Sequence, residues 1–289
     1  MTTPHRFRAL LAGTVALLLS GCQSLTLGVA NVGTGAADAS VVYDAERQLT
    51  LDIYRPASAS ADAPVVVFFY GGNWKTGSRR QYRFVGRRLA DSGMLAIVAD
   101  YRTYPRATFP GFVEDAARAV GWARAHARAH GGDPARLFVA GHSAGAQIAA
   151  LLGTDARYLS AHGLRPRDLA GVIGLSGPYD FAIGAPYAPV FGSRTQWPRA
   201  QAVNFVDGDE PPFLLVHGTA DRVVEARDSQ QLADKLRQNG VSAELVWLED
   251  AGHAAPVAAL HSPRRAPQVL EEIKKFVQTR KSAAASYSK

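Results

Sequence analysis

The sequence predicts an α/β fold built on a doubly wound, mostly parallel sheet, and two observations carry that expectation. Continuous apolar, β-rich runs recur at residues 65–69, 95–99, 137–141, 171–175, 213–216 and 245–248. Runs without polar alternation mark strands covered on both faces. Between them lie segments of helical period at residues 78–92, 112–130, 144–152, 226–239 and 264–279. Strand and helix therefore alternate along the chain, as parallel βαβ units require. With 289 residues, 47% of them hydrophobic, the chain can bury one large core.

Two shorter extended stretches, 40–43 and 49–54, come first and alternate enough to form a hairpin at a sheet edge. Residues 179–209 interrupt the regular alternation. They are rich in Pro, Gly and aromatic residues and only weakly periodic, which suits either a small cap over a site or a surface loop.

The N-terminus has the layout of an export signal. His5, Arg6 and Arg8 precede an apolar run at residues 9–19 that is too short to span a bilayer as a helix. The chain's only cysteine, Cys22, follows Leu19-Ser20-Gly21, a pattern that resembles the bacterial lipobox. A lone cysteine has no internal disulfide partner, in keeping with a lipidation role. The expected organisation is a signal peptide at 1–21, a Gly/Ala/Ser/Thr-rich flexible tether at 22–40, a folded domain at 41–280 and a disordered tail at 281–289. An acyl anchor on Cys22 would hold the domain at a membrane without a spanning helix. Gln23, in place of Asp, points among bacterial lipoproteins to the outer membrane, on its periplasmic side.

Composition narrows the chemistry. The net charge of +7 is spread along the chain, with no long basic run of the kind that marks a nucleic-acid tail. CxxC, HExxH, GxGxxG and GxxxxGK motifs do not occur, so no metal, nucleotide or other cofactor is implied. His126 and His130 share a helical face, but no third metal ligand is in view. Arg79, Arg83 and Arg87 recur every four residues, alongside Arg80 and Arg88; such a stripe is either a solvated face or a contact for anionic lipid.

The strongest local signal is Gly141-His142-Ser143-Ala144-Gly145, between a strand and an Ala-rich helix. A serine on such a strand-turn-helix elbow is exposed as a nucleophile, and the glycines let the turn close. A serine hydroxyl needs a base to take its proton and an acid to orient that base. Asp221 follows the strand at 213–216 and His253 follows the strand at 245–248, so both reach the carboxyl edge of the sheet with Ser143. The assignment is Ser143 as nucleophile, His253 as general base and acid, and Asp221 as its orienting carboxylate. The competing bases are His142, His217 and His261; the competing acids are Glu249 and Asp250. Tyr70-Gly71-Gly72-Asn73-Trp74, after the strand at 65–69, offers the N–H groups of Gly72 or Asn73 to an oxyanion, and Ala144 supplies another.

Taken together, residues 70–74, Asp100-Tyr101-Arg102, Phe109-Pro110, Gly132-Asp133-Pro134, the 141–145 elbow and the Asp221 and His253 turns resemble the carboxylesterase and lipase branch of the α/β-hydrolases with an HGGxW or HGGG motif. That branch includes hormone-sensitive-lipase-like, feruloyl and acetyl esterases and kynurenine-formamidase-like enzymes. The resemblance spans residues 41 to about 279. It implies an α/β-hydrolase fold and hydrolysis of small or medium carboxylic esters through an acyl-enzyme. The alternatives are a formamidase or an inactive, membrane-tethered binding protein. Tyr70 stands where the family usually carries His, and Asn73 is an unusual residue in the oxyanion loop.

Overall fold

In a computed structural model, residues 30–57, 62–262, 264 and 266–280 are described, and they form an eight-stranded sheet ordered β1-β2-β4-β3-β5-β6-β7-β8. The strands are β1 (Ala39–Asp44), β2 (Leu49–Tyr54), β3 (Ala63–Phe69), β4 (Leu95–Ala99), β5 (Gly132–His142), β6 (Gly171–Leu175), β7 (Phe213–Gly218) and β8 (Ala243–Leu248). β1 pairs antiparallel with β2, and β2 antiparallel with β4; every other pairing is parallel. The hairpin at the sheet edge and the parallel body are therefore as the apolar pattern indicates.

β5 is longer than its apolar run. Its ladder with β3 begins at Gly132, skips after Asp133, and resumes at Leu137, so only the second part has the regular register that an apolar run reports. The eight helices named here are α1 (Arg83–Asp91), α2 (Gly111–His126), α3 (Ala144–Thr154), α4 (Ala156–Ser160), α5 (Ala188–Phe191), α6 (Arg227–Gln238), α7 (Ala255–His261) and α8 (Pro267–Gln278). They cover both faces of the sheet. Successive residues of β6 show this directly, because a Cβ at Gly171 would strike Phe276 of α8, whereas Val172 lies under Gly153 of α3. Neighbours along a strand point to opposite faces, so α8 and α3 lie on opposite sides of the sheet.

Two sequence expectations need correction. The stretch expected as tether is, from residue 30 onward, part of the folded body. Ala30 is buried against the core, and Asn31 donates to the Gln81 carbonyl at 2.8 Å and accepts from the Phe84 N–H at 3.1 Å. Nor are the arginines around α1 a solvated stripe. Arg79 pairs with Asp52 at 2.9 Å and also with Asp100, Arg87 pairs with Asp38, and Arg88 donates to the Leu260 carbonyl. Composition alone does not show that strand-end carboxylates meet that face. Likewise His126 stacks on Trp122 at 4.4 Å and His130 contacts Arg55 at 2.9 Å. No cluster of potential metal ligands occurs among the described residues.

Candidate active site

Ser143 occupies the turn between β5 and α3 with φ 54° and ψ −122°, a conformation that costs a non-glycine residue strain. The surroundings hold it there. The Ser143 N–H donates to the Leu175 carbonyl at 2.9 Å, and its own carbonyl accepts from Ala146 and Gln147 as the first acceptor of α3. The flanking glycines are sterically required: a Cβ at Gly141 would lie 2.2 Å from the Gly145 backbone, and one at Gly145 would lie 2.1 Å from the Phe69 carbonyl. The elbow can form only with hydrogen at both positions.

Asp221 and His253 come from loops after neighbouring strands β7 and β8. Those loops are tied together, since Thr219 N–H donates to the Leu248 carbonyl and Ala220 N–H to the Ala251 carbonyl, both at 3.0 Å. The result is a continuous chain: His253 Nε2 lies 2.9 Å from Ser143 Oγ, and His253 Nδ1 lies 2.8 Å from Asp221 Oδ2. The side chain of Asp221 is fully buried and that of His253 is 12% exposed. Burial raises the cost of the Asp221 charge, but the hydrogen bonds from His217 and His253 outweigh it and hold the carboxyl well below the ordinary range. The Val223 and Val224 N–H groups, at 2.8 and 3.0 Å from Oδ1, occupy the other oxygen.

Two histidines weighed as bases have other positions. His217 Nε2 lies 3.1 Å from Asp221 Oδ2, and its Nδ1 lies 2.7 Å from Ser229 Oγ. Because a carboxylate only accepts, His217 carries its proton on Nε2 and takes the Ser229 hydroxyl hydrogen on Nδ1. His142 points away from Ser143 Oγ, with Nε2 3.2 Å from the His253 carbonyl and Nδ1 3.2 Å from the Tyr82 hydroxyl. That hydroxyl also accepts from the Gly71 N–H at 3.2 Å. A string of polar contacts thus runs from the loop after β3, through Tyr82 and His142, to the backbone of His253. Burial, together with the nearby His253, pushes His142 down to about 3, so it stays neutral. The spacing His217-x-x-x-Asp221 was the only trace of the first partner in the sequence, and the long-range contacts of His142 left none. His261 packs edge-on against Phe84, and neither Glu249 nor Asp250 is hydrogen-bonded to His253.

The loop after β3 takes positive φ at three successive residues, Gly72 (137°), Asn73 (54°) and Trp74 (58°). It is closed by the Lys75 and Thr76 N–H groups on the Gly72 carbonyl, each at 3.0 Å. It lies against the elbow, where a Cβ on Gly71 would come 3.1 Å from Ser143 Cβ. The Gly71 N–H is used by Tyr82, whereas those of Gly72, Asn73 and Ala144 have no protein acceptor among the described residues. Tyr70 is built into the base of this loop. Its ring stacks on Tyr101 at 4.5 Å, its hydroxyl donates to the Tyr101 carbonyl, and the Tyr101 hydroxyl donates to the Tyr70 carbonyl at 2.7 Å.

Residues 179–209 form a cap. It contains α5 and two 3-10 turns, Arg194–Ala200 and Ala202–Phe205, and α5 packs against the loop after β3 through Phe191 and Trp74. Trp74 is packed among Phe181 (5.3 Å), Tyr187 (5.6 Å) and Phe191 (4.8 Å). Beside Ser143 a cavity of about 150 Å³ remains, lined by Asn73, Trp74, Phe181, Tyr187, Val224 and Asp228 among others. Burial and the charge of Asp180 push the Asp228 carboxyl up to about 6, against the N–H of Tyr179 that it accepts. Cys22 lies outside the described residues, and no helix among them is long and apolar enough to cross a membrane.

Known proteins agree with this architecture. Residues 51–236, more than half of the chain, match the BD-FAE family. A probable isoprenylcysteine alpha-carbonyl methylesterase of Oryza sativa subsp. japonica is 31% identical over 264 residues, covering 81% of this chain and 61% of that protein. A probable carboxylic ester hydrolase of Mycobacterium tuberculosis, LipM, is 30% identical, covering 77% and 58%. The chain thus spans little more than half the length of the curated relatives it matches. Among solved structures, Thermogutta terrifontis esterase 2 superposes with a TM-score of 0.74 at 26% identity, over 84% of this chain and 94% of that one. The chain belongs to the BD-FAE family, within the α/β-hydrolase carboxylesterases.

Proposed function

We propose that this protein is a serine carboxylesterase that hydrolyses short-chain carboxylic esters through an acyl-enzyme. The observation that carries this reading is the unbroken Ser143–His253–Asp221 chain, at 2.9 and 2.8 Å, beside a small cavity. His253 Nε2 takes the Ser143 proton as Oγ adds to the ester carbonyl. Asp221 holds the other ring nitrogen protonated and stabilises the imidazolium that forms. The negative charge that develops on the carbonyl oxygen is met by the uncommitted N–H groups of Gly72, Asn73 and Ala144. His253 then gives its proton to the leaving alkoxide, and the same nitrogen activates the water that releases the acid.

A cavity of about 150 Å³ is small beside the ~300–1,000 Å³ of sites that hold drug-sized ligands, which favours short acyl groups. Thermogutta terrifontis esterase 2 has been solved with propionate and with butyrate bound, chain lengths in keeping with such a pocket. Initial rates on p-nitrophenyl acetate, butyrate and octanoate test the reading, with N-formylkynurenine as an amide comparison. Acetate and butyrate are expected to be turned over fastest. Faster turnover of N-formylkynurenine than of any ester would replace the esterase assignment with a formamidase.

We also propose that Cys22 is acylated after removal of residues 1–21 and that the enzyme works at the periplasmic side of the outer membrane. The support is the ordered layout of basic residues, apolar run and Leu19-Ser20-Gly21-Cys22. Labelling of bacterial cells with radioactive palmitate should mark the protein. Equal labelling of Cys22→Ser would refute the anchor.

A further inference from the structure

A second cleft, about 500 Å³ in volume, lies where α2 and α4 meet the cap, and it shares no residue with the cavity beside Ser143. Arg118, Arg157 and Arg199 line it, together with Tyr158, His162 and a single carboxylate, Glu114. Two of the guanidiniums are anchored from behind. Asp44 and Asp115 take Nε and Nη1 of Arg118, while Asp155 takes Nε and Nη2 of Arg157. The remaining nitrogen of each, Nη2 of Arg118 and Nη1 of Arg157, has no hydrogen-bond or ion-pair partner among the described residues. Arg199 belongs to the cap, and its Nη1 donates to Gln196 Oε1 at 2.9 Å. The Arg157 guanidinium lies over the Tyr158 ring, 5.9 Å from its centroid, and Tyr158 is buried. Burial and the Arg118 charge hold His162 below its ordinary range, so it offers a single N–H and adds no further charge near neutral pH.

Pre-anchored guanidinium forks with spare donors, gathered around one cleft, suit a ligand rich in acceptor oxygens. Such forks match phosphate oxygens in both charge and geometry. We propose that this cleft binds a phosphate-type oxyanion, either free or carried on a lipid headgroup, and that its occupancy steadies the cap over the catalytic cavity.

The route for the second effect is short. Arg199 precedes Ala200, whose carbonyl accepts from Gln147 Nε2 at 2.8 Å, and Gln147 Oε1 accepts from the Trp74 indole at 3.1 Å. Gln201 follows and holds both the N–H and the carbonyl of Phe181, at 3.0 and 2.8 Å. Trp74 and Phe181 both line the catalytic cavity. An anion held by Arg118 and Arg157 of the body and by Arg199 of the cap would therefore restrain two residues that line the substrate site, Trp74 and Phe181.

The test is calorimetric titration of the full chain with inorganic phosphate and with glycerol 3-phosphate, at constant ionic strength with chloride as reference. Saturable binding is expected that chloride does not reproduce. Arg199→Gln, which strands no buried carboxylate, should weaken it by about 10-fold or more, the loss of a charged hydrogen bond. Glu114→Gln, which removes the cleft's carboxylate, should strengthen it, with both variants folded and active without phosphate. Phosphate should also lower KM for a p-nitrophenyl ester in the native chain and not in Arg199→Gln. To separate the sources, Cys22→Ser protein, which has no thiol to acylate, is sedimented with phosphatidylglycerol or phosphatidylcholine vesicles. Arg199-dependent binding to the former alone assigns a headgroup, whereas binding of soluble phosphate without vesicle binding assigns a free anion. Equal responses to phosphate and chloride, or native-like binding by both variants, would overturn the site. Saturable binding with an unchanged KM would overturn the effect on the cap. Because the calorimetric signal does not depend on ester turnover, failure of the esterase reading would leave it intact.

Discussion

The two walls of the catalytic cavity are held by different forces. On the wall that carries Asp221 and His253, each imidazole nitrogen of His142, His217 and His253 has a polar partner within 3.3 Å, and every carboxylate oxygen of Asp221 is occupied. On the cap wall, the side chains of Trp74, Phe181, Tyr187 and Phe191 meet one another through ring contacts between 4.8 and 5.6 Å, with hydrogen bonds to Gln147 and Gln201 at the margin. Hydrogen bonds to charged groups are directional and costly to lose, whereas dispersion contacts tolerate repacking. The first wall fixes the reacting atoms; the second sets which acyl group fits, and can change without disturbing the chemistry.

The largest effect expected from breaking this contrast is on the polar wall. Ser143→Ala should lower kcat by roughly 10⁴-fold or more with a folded protein and a similar KM, as removal of a triad member does. Asp221→Asn should lower kcat by about 10⁴-fold, because the amide cannot hold the same histidine tautomer. Steady-state rates with circular dichroism as a folding control check both. Next comes His217→Phe, which removes one donor to Asp221 and is expected to lower kcat by roughly 10- to 100-fold, the worth of a hydrogen bond to a charged group. No change in kcat would mean that His217 merely fills space.

On the cap wall, Phe181→Ala should act on selectivity. One methylene in an apolar pocket is worth about 1–3 kcal/mol, so enlarging it should shift the preference from acetate towards octanoate by roughly 10-fold or more. The kcat for acetate should stay within a few-fold of native. A large loss of kcat on every ester would show that the cap also positions the triad.

The smallest effect concerns pH. His142 is lowered from 6.5 to about 3, so between those values the unfolded chain binds more protons than the folded one. Its contribution to stability is complete above about pH 6.5 and is lost as pH falls towards 3. His142→Asn, which keeps a donor for the His253 carbonyl, should flatten this dependence by about one proton. Urea midpoints at pH 4 and pH 7 measure it. Asp221, held in its charged form well below the ordinary range, adds a slope of the same sign only where its unfolded carboxyl titrates, around 3.8, and that part of the dependence persists in His142→Asn.

The contrast between the walls also explains what was legible in the sequence. Ser143, Asp221 and His253 sit immediately after strands, so apolar runs and turn residues locate them, and chain order pairs them. The strands themselves were readable wherever the register is regular, and β5 was underread where its ladder with β3 skips between Asp133 and Leu137. The oxyanion loop could be located, but the role of Tyr70 depends on Tyr101, which is 31 residues away. The string Gly71–Tyr82–His142–His253 joins four separate segments and has no local signature. The paired arginines of the α1 face and the packed residues from Ala30 onward failed for a related reason. Their partners, Asp38, Asp52, Asp100 and Gln81, become neighbours only after the sheet has formed.

Active-site labelling shows whether Ser143 is the nucleophile and whether His253 activates it. The native protein is incubated with a fluorophosphonate probe, digested and mapped by mass spectrometry, with Ser143→Ala and His253→Ala treated in parallel. With this triad a single adduct on Ser143 is expected, none on Ser143→Ala, and labelling of His253→Ala slowed by orders of magnitude. An adduct that persists on Ser143→Ala, or labelling of His253→Ala at the native rate, would contradict it.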